Sequence, residues 1–173
     1  MVDSVMYSSG SELWRTPPEL VAGLELLLGE FDLDPCASDA SAAKAKRFIT
    51  PKQDGLKQPW GNNNFVNPPW RRANKKKGIT VIPIMPWIQK AVMEPGQCTL
   101  LLAARTDTDF FRLAFEHAKL VMFIHGRLLY LDENNQPVFP AAFPSVVLVT
   151  EGGGRKPKTQ HTGLISRTGE VLV

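Results

Sequence analysis

Phe65-Val66-Asn67-Pro68-Pro69-Trp70 is the stretch on which the reading of this chain turns: two apolar residues of a short strand run directly into an amide, two prolines and an indole. Proline donates no ladder hydrogen bond, so the strand stops there and the stiffened backbone leaves carbonyl acceptors facing outward. The Asn67 amide oxygen and the Pro68 carbonyl can accept the two hydrogens of an exocyclic amine, and Trp70 offers a flat apolar face for a ring to stack upon. An aromatic amine is a poor nucleophile because its lone pair is delocalised. Two acceptors that hold its hydrogens while the nitrogen pyramidalises lower the barrier to attack. Such chemistry needs neither a metal nor a basic histidine. Taken alone, the tetrapeptide is equally readable as a proline-rich turn that buries Trp70 in the core.

Working outward, apolar strands alternate with helices, which implies an α/β layered sheet. Upstream, Thr16, Pro17 and Glu19 read as a capping box opening a helix whose apolar stripe is Leu20, Val21, Leu24, Leu27 and Leu28, with Gly29 as its stop. Phe31 to Asp34 is a short buried strand, and the Ala- and Lys-rich stretch from Ser41 to Phe48 reads as a helix. Downstream, Trp87 to Met93 and Asp107 to Ala118 read as helices. Cys98 to Ala103, Leu120 to Ile124, Leu128 to Leu131 and Ser145 to Thr150 read as strands. Gly163 to Val173 reads as a hairpin around Thr168 and Gly169. Met1 to Gly10 has no periodicity and is expected to be a loose arm.

The length of 173 residues predicts one domain over 1–173 with one core, since domains commonly run to roughly 100 to 200 residues. Cys36 and Cys98 lie 62 residues apart, without the CxxC spacing of a zinc or dithiol site, and no secretory leader precedes them, so a reducing, cytoplasmic compartment is expected. Apolar runs fall far short of the ~20 residues that span a bilayer. His117, His125 and His161 show no metal-ligand spacing.

Charge is unevenly placed. Arg71, Arg72, Lys75, Lys76 and Lys77 put five positive charges in seven residues, and subtracting these five from the net +3 leaves −2. Smaller clusters lie at Arg155, Lys156 and Lys158 and at Lys44, Lys46 and Arg47. Local positive charge suits a polyanion, because Lys and Arg that neutralise phosphates release condensed counterions. A solvated loop would look similar, but this cluster begins directly after Trp70, at the lip of the candidate amine site.

The segments Thr16-Pro17-Pro18-Glu19-Leu20, Phe31-Asp32-Leu33-Asp34-Pro35-Cys36-Ala37-Ser38, Asp54-Gly55-Leu56 with Trp60, and Asn67-Pro68-Pro69-Trp70 occur in an informative order. Together with Arg105-Thr106-Asp107-Thr108 and Gly126-Arg127-Leu128, the chain from about Trp14 to Thr150 resembles the phage-type DNA adenine-N-6 methyltransferases, the phage Dam family. The resemblance implies a single-domain Rossmann-like methyltransferase sheet flanked by helices, with a C-terminal β-hairpin. It implies S-adenosylmethionine as cofactor, DNA as partner, methyl transfer to the N-6 of adenine, and a setting in a bacterial host, where protection from restriction is the expected purpose. On that resemblance Thr16 and Pro17, together with Asp34, Pro35, Cys36 and Ala37, contact the cofactor's amino-acid part. Asp54 reads the cofactor's adenine, Asn67, Pro68, Pro69 and Trp70 form the catalytic motif, and Arg71, Arg72, Lys75, Lys76 and Lys77 meet DNA.

Two departures stand out. Asp34 to Lys44 contains no glycine, where many methyltransferases have a glycine-rich turn. About thirty residues separate Asp34 from Asn67, which predicts a sheet trimmed on that side. Methylation of cytosine's amine or of a protein glutamine amide are alternative chemistries, and a catalytically silent DNA-binding module is an alternative of a different class.

Overall fold

The computed structural model describes residues 15–39, 44–69, 83–132, 134–137 and 140–173. The elements run α1 (Pro18–Leu28), β1 (Leu33–Asp34), β2 (Arg47–Phe48), β3 (Asn63–Val66), α2 (Met85–Met93), β4 (Gln97–Ala103), α3 (Asp109–His117), β5 (Ala118–Ile124), β6 (Ser145–Thr150) and β7 (His161–Ile165). They build one sheet of seven strands ordered β2-β1-β3-β4-β6-β5-β7. β1, β2, β3 and β4 are parallel neighbours, while β6 runs antiparallel between β4 and β5, and β7 is parallel to β5.

The alternation of side chains along the strands divides the core in two. Val66, Leu100, Leu102, Val146 and Leu148 face α2 and α3, where Trp87, Ile88, Ala91, Phe111 and Ala114 cover them. Phe65, Leu101, Val147 and Val149 face Leu20, Val21 and Leu24 of α1. β6 is buried along its whole length because it has a strand on either side and a helical layer on each face. Gly29 (φ 81) ends α1, its N–H reaching Glu25 O at 2.9 Å. Gly23, in the middle of α1, lies against the turn at Thr168 and Gly169: a Cβ there would stand 2.1 Å from the Thr168 carbonyl oxygen.

Several sequence expectations are corrected. The helix expected over Ser41 to Phe48 is not formed in its described part, because Arg47 and Phe48 make the parallel edge strand β2. Backbone bonds draw that segment onto β1, from Arg47 N to Asp32 O at 3.1 Å and from Ile49 N to Asp34 O at 2.9 Å. The capping box is not made either. α1 begins at Pro18, with Pro17 as its N-cap and no side-chain cap. Leu27, expected on the apolar stripe, is exposed. Leu128 to Leu131 supplies only an isolated bridge, Leu131 pairing with Arg15 and with Pro137. The C-terminal hairpin is present as β7 with the Ile165–Val171 bridge, its turn closed from Gly169 N to Ser166 O at 3.1 Å. On the trimmed side the sheet ends in two strands of two residues each. The loose arm falls outside the described residues.

Candidate active site

β1 sits between β2 and β3, so the chain steps outward from β1 to β2 and then returns past β1 to continue through β3 and β4. That reversal makes a topological switch point, and in open α/β sheets the crevice beyond the carboxyl ends of the two strands is where ligands bind. Asp34 ends β1 and Asn67 follows β3, and the strands are in register with Leu33 opposite Asn64. The two motif segments are therefore brought to one edge of the sheet.

Asn67 continues the alternation of β3, in which Phe65 faces α1 and Val66 faces α2. Its amide thus turns to the α1 side, where Nδ2 donates to Thr16 Oγ1 at 3.1 Å. Thr16 is 2% exposed, so the pairing is shielded from water. With Nδ2 engaged, Oδ1 is left as the acceptor of this amide. Pro68 is buried behind it and Pro69 is half-buried. Trp70 and the cluster Arg71, Arg72, Lys75, Lys76 and Lys77 lie outside the described residues.

Asp34 is 4% exposed and folds the following loop around itself, Oδ1 accepting from Cys36 N at 2.9 Å and Oδ2 from Lys44 N at 3.1 Å. This carboxylate, not a glycine-rich turn, shapes the loop. Pro35 and Ala37 are buried and Cys36 is half-buried, with burial pushing its thiol well above the usual range. Asp34 makes no ion pair among the described residues, and burial pushes its carboxyl up to about 6 against the two N–H bonds. A cation beside it would favour the ionised form, so the site's chemistry fits the ammonium and sulfonium of S-adenosylmethionine.

Asp54 has φ 59 and caps its own turn, accepting from Leu56 N at 3.2 Å and pairing with Lys57 at 2.9 Å, which holds its carboxyl below the usual range. The next residue ties this turn to the loop after Asp34. A Cβ on Gly55 would stand 2.2 Å from the Pro35 carbonyl oxygen, and Gly55 O accepts from Trp60 Nε1 at 2.7 Å. Trp60 in turn stacks on Trp87 of α2. Asp54 thereby stands one residue from a contact with the Asp34 loop.

Arg15 is a participant that sequence reasoning missed. Its guanidinium is buried, pairing with Asp39 of the loop after Asp34 at 3.0 Å and donating to Asn135 Oδ1 at 3.1 Å. Its adjacency to Thr16 was the available signal. Arg127 is exposed and donates to Ala142 O at 2.8 Å, a bond to its own neighbouring loop. Asp107 pairs with Arg105 at 2.9 Å and Thr108 caps α3, so this segment is engaged in local structure. Among the described residues no group of side chains could hold a metal ion, and no helix is long and apolar enough to cross a membrane.

The fold has a counterpart among solved structures. A Listeria monocytogenes protein described as a class I S-adenosylmethionine-dependent methyltransferase superposes with a TM-score of 0.51 at 13% identity, over 87% of this chain and 65% of its own, which shows the fold. A DNA N-6-adenine-methyltransferase of Haemophilus phage HP1 is 28% identical over 149 residues, covering 79% of this chain and 81% of the phage protein. The DNA N-6-adenine-methyltransferase of Escherichia phage T1 is 30% identical over 130 residues, 72% of this chain, which spans about half (50%) of that relative's length. The family model described as DNA N-6-adenine-methyltransferase (Dam) matches residues 3–166. With agreement this continuous along the sequence, the chain belongs to the Dam family of DNA N-6-adenine-methyltransferases.

Proposed function

We propose that this protein transfers a methyl group from S-adenosylmethionine to the N-6 amine of adenine in DNA, acting in the cytoplasm of a bacterial host. The observation that carries the reading is the Asn67 amide: held by Thr16 through Nδ2, it keeps Oδ1 free at the mouth of the switch-point crevice. When bound, S-adenosylmethionine supplies an electrophilic methyl group. Asp34, Pro35, Cys36 and Ala37 would line its amino-acid part, with Thr16 and Pro17 across the crevice and Asp54 toward its adenine.

The protein's own work is to hold the amine. Asn67 Oδ1 and the Pro68 carbonyl accept its two hydrogens, which orients the nitrogen and favours the pyramidal geometry in which its lone pair is available. Both acceptors are fixed before substrate arrives, one by Thr16 and the other by the proline backbone, so little reorganisation is needed at the moment of reaction. Extruding an adenine from duplex DNA costs a few kcal/mol. Stacking on Trp70, about 1 to 3 kcal/mol per base in single-strand binders, offsets part of that. Arg71, Arg72, Lys75, Lys76 and Lys77 would grip the phosphates beside the extruded base.

Methyl transfer from labelled S-adenosylmethionine to duplex DNA, followed by nucleoside mass spectrometry, should yield N6-methyladenine. Asn67→Ala should lower kcat by about 10²- to 10³-fold, the usual effect of removing one preorganised polar group, with cofactor affinity unchanged. Thr16→Val should cost roughly tenfold, the value of one hydrogen bond. Full turnover by Asn67→Ala would remove Asn67 from the mechanism, and recovery of N4-methylcytosine or methylglutamine instead would replace the substrate.

A further inference from the structure

A cavity of the described chain lies across the sheet from Asn67, on the side of β5 and β7. It is an open groove of about 970 Å³, lined among others by Lys119, Arg155, Lys156, Lys158, His161 and the single carboxylate Glu151. Lys119 follows the first residue of β5, His161 opens β7 and Glu151 follows β6, which runs the other way, so all three mark the amino-terminal edge of the parallel strands. Asn67 follows the carboxyl end of β3. Along the strands Asn67 stands only two or three residues above the level of Lys119 and His161, and the separation is across the sheet, where β4, β6 and β5 intervene at about 4.8 Å per strand.

The cations of this groove are presented by a fixed loop. Gly152, Gly153 and Gly154 all have positive φ, and a Cβ on Gly152 would fall within 2.4 to 2.6 Å of three carbonyl oxygens at Glu94, Pro95 and Gly96. Gly153 N and Gly154 N donate to Glu94 O at 2.6 Å and Val92 O at 2.8 Å, which seats the loop on the end of α2. Gln160 closes the far side, donating from Nε2 to Phe115 O at 2.8 Å and Ala118 O at 2.9 Å. Lys156 is held by Glu116 at 2.7 Å. Lys119, Arg155 and Lys158 make no ion pair among the described residues.

We infer that this groove is a second site for the DNA backbone, remote from the base being modified. Here the free cations come from two separate segments and face open solvent, which suits a row of phosphates. The groove stands three to four strands across the sheet from Asn67, so it engages a DNA segment other than the one that presents the target base. The inference rests on the proposal that DNA is the substrate.

The test is the double variant Arg155→Gln/Lys158→Gln, with Lys119→Gln added as a third step. Binding to plasmid-length duplex should lose about 0.9 in the slope of log K against log salt for each phosphate contact removed, a drop of about 2 to 3 for all three. Turnover on a duplex of about 12 base pairs, roughly one helical turn and so without a distal segment, should stay at the wild-type value. An unchanged salt slope on plasmid DNA overturns the inference, as does equal loss of turnover on short and long DNA in variants whose thermal melts match wild type. Asn67→Ala, inert in turnover but with a wild-type salt slope, keeps the two proposals separable.

Discussion

Asp34 shows how one side chain reconciles structure with site. Its carboxyl has a native pKa of about 6 against an ordinary 3.8, because burial disfavours the charge more than Cys36 N–H, Lys44 N–H and the Lys44 charge favour it. A raised carboxyl pKa means the native state binds the proton more tightly than the unfolded chain does. The contribution to stability is therefore fully present below about pH 4 and is lost as pH rises through about 6, a change of roughly 3 kcal/mol for two units. Asp34→Asn retains one acceptor, forfeits the bond from Lys44 N–H, and does not titrate. Urea unfolding of the cofactor-free protein should find this variant clearly destabilised at pH 4.5, with the deficit shrinking or reversing at pH 7.5. A difference between variant and wild type that is constant across that window would show that the carboxylate is solvated.

At the scale of elements, α1 carries a conflict between propensity and packing that can be measured. Alanine is favoured over glycine in a helix interior by about 1 kcal/mol. A Cβ at Gly23, however, would stand 2.1 Å from Thr168 O and 2.8 Å from the Gly169 Cα, both backbone atoms that cannot swing aside. Overpacking of this kind costs about 1 to 3 kcal/mol or more, so Gly23→Ala should lower Tm by several degrees, whereas Ala would stabilise an isolated α1 peptide. An unchanged or raised Tm would mean that the C-terminal turn is not docked on the helix. The same element shows what sequence can convey. The stripe of Leu20, Val21, Leu24, Leu27 and Leu28 is local, and it marks the buried face at its first three residues, whereas Leu27 is exposed. Thr16 looked like a cap because Thr-Pro-x-Glu is a local pattern, but its hydroxyl is claimed by Asn67, 51 positions away, a contact no local pattern encodes. Arg47 and Phe48 fail for the same reason. Their Ala- and Lys-rich neighbourhood favours a helix, and only backbone bonds to the β1 segment make them a strand.

For the whole molecule, the legible part was the succession of apolar runs, because the central strands β4 and β6 are covered by a helical layer on each face and read as unbroken hydrophobicity. The insertion of β6 between β4 and β5 was not legible, since an antiparallel strand buried on both sides has the same composition as a parallel one. The short interval between Asp34 and Asn67 did convey a physical limit. So few residues cannot hold further full strands, and the sheet ends there in β1 and β2 of two residues each. That thin edge bears on cofactor binding. The crevice is walled by the β1 loop, the Asp54–Gly55 turn and the start of α1, all joined by few backbone pairs, so a ligand that touches them adds stability to the least supported part of the fold. S-adenosylmethionine at 100 times its Kd should stabilise the protein by about 2.7 kcal/mol, a rise in Tm of about 5 to 10 °C for a chain of this size. Asn67→Ala should show the same rise, since its amide serves the amine and not the cofactor, whereas Asp34→Ala should lose most of it. A protein that keeps the fold but melts at the same temperature with and without millimolar S-adenosylmethionine would be a DNA-binding module without catalysis.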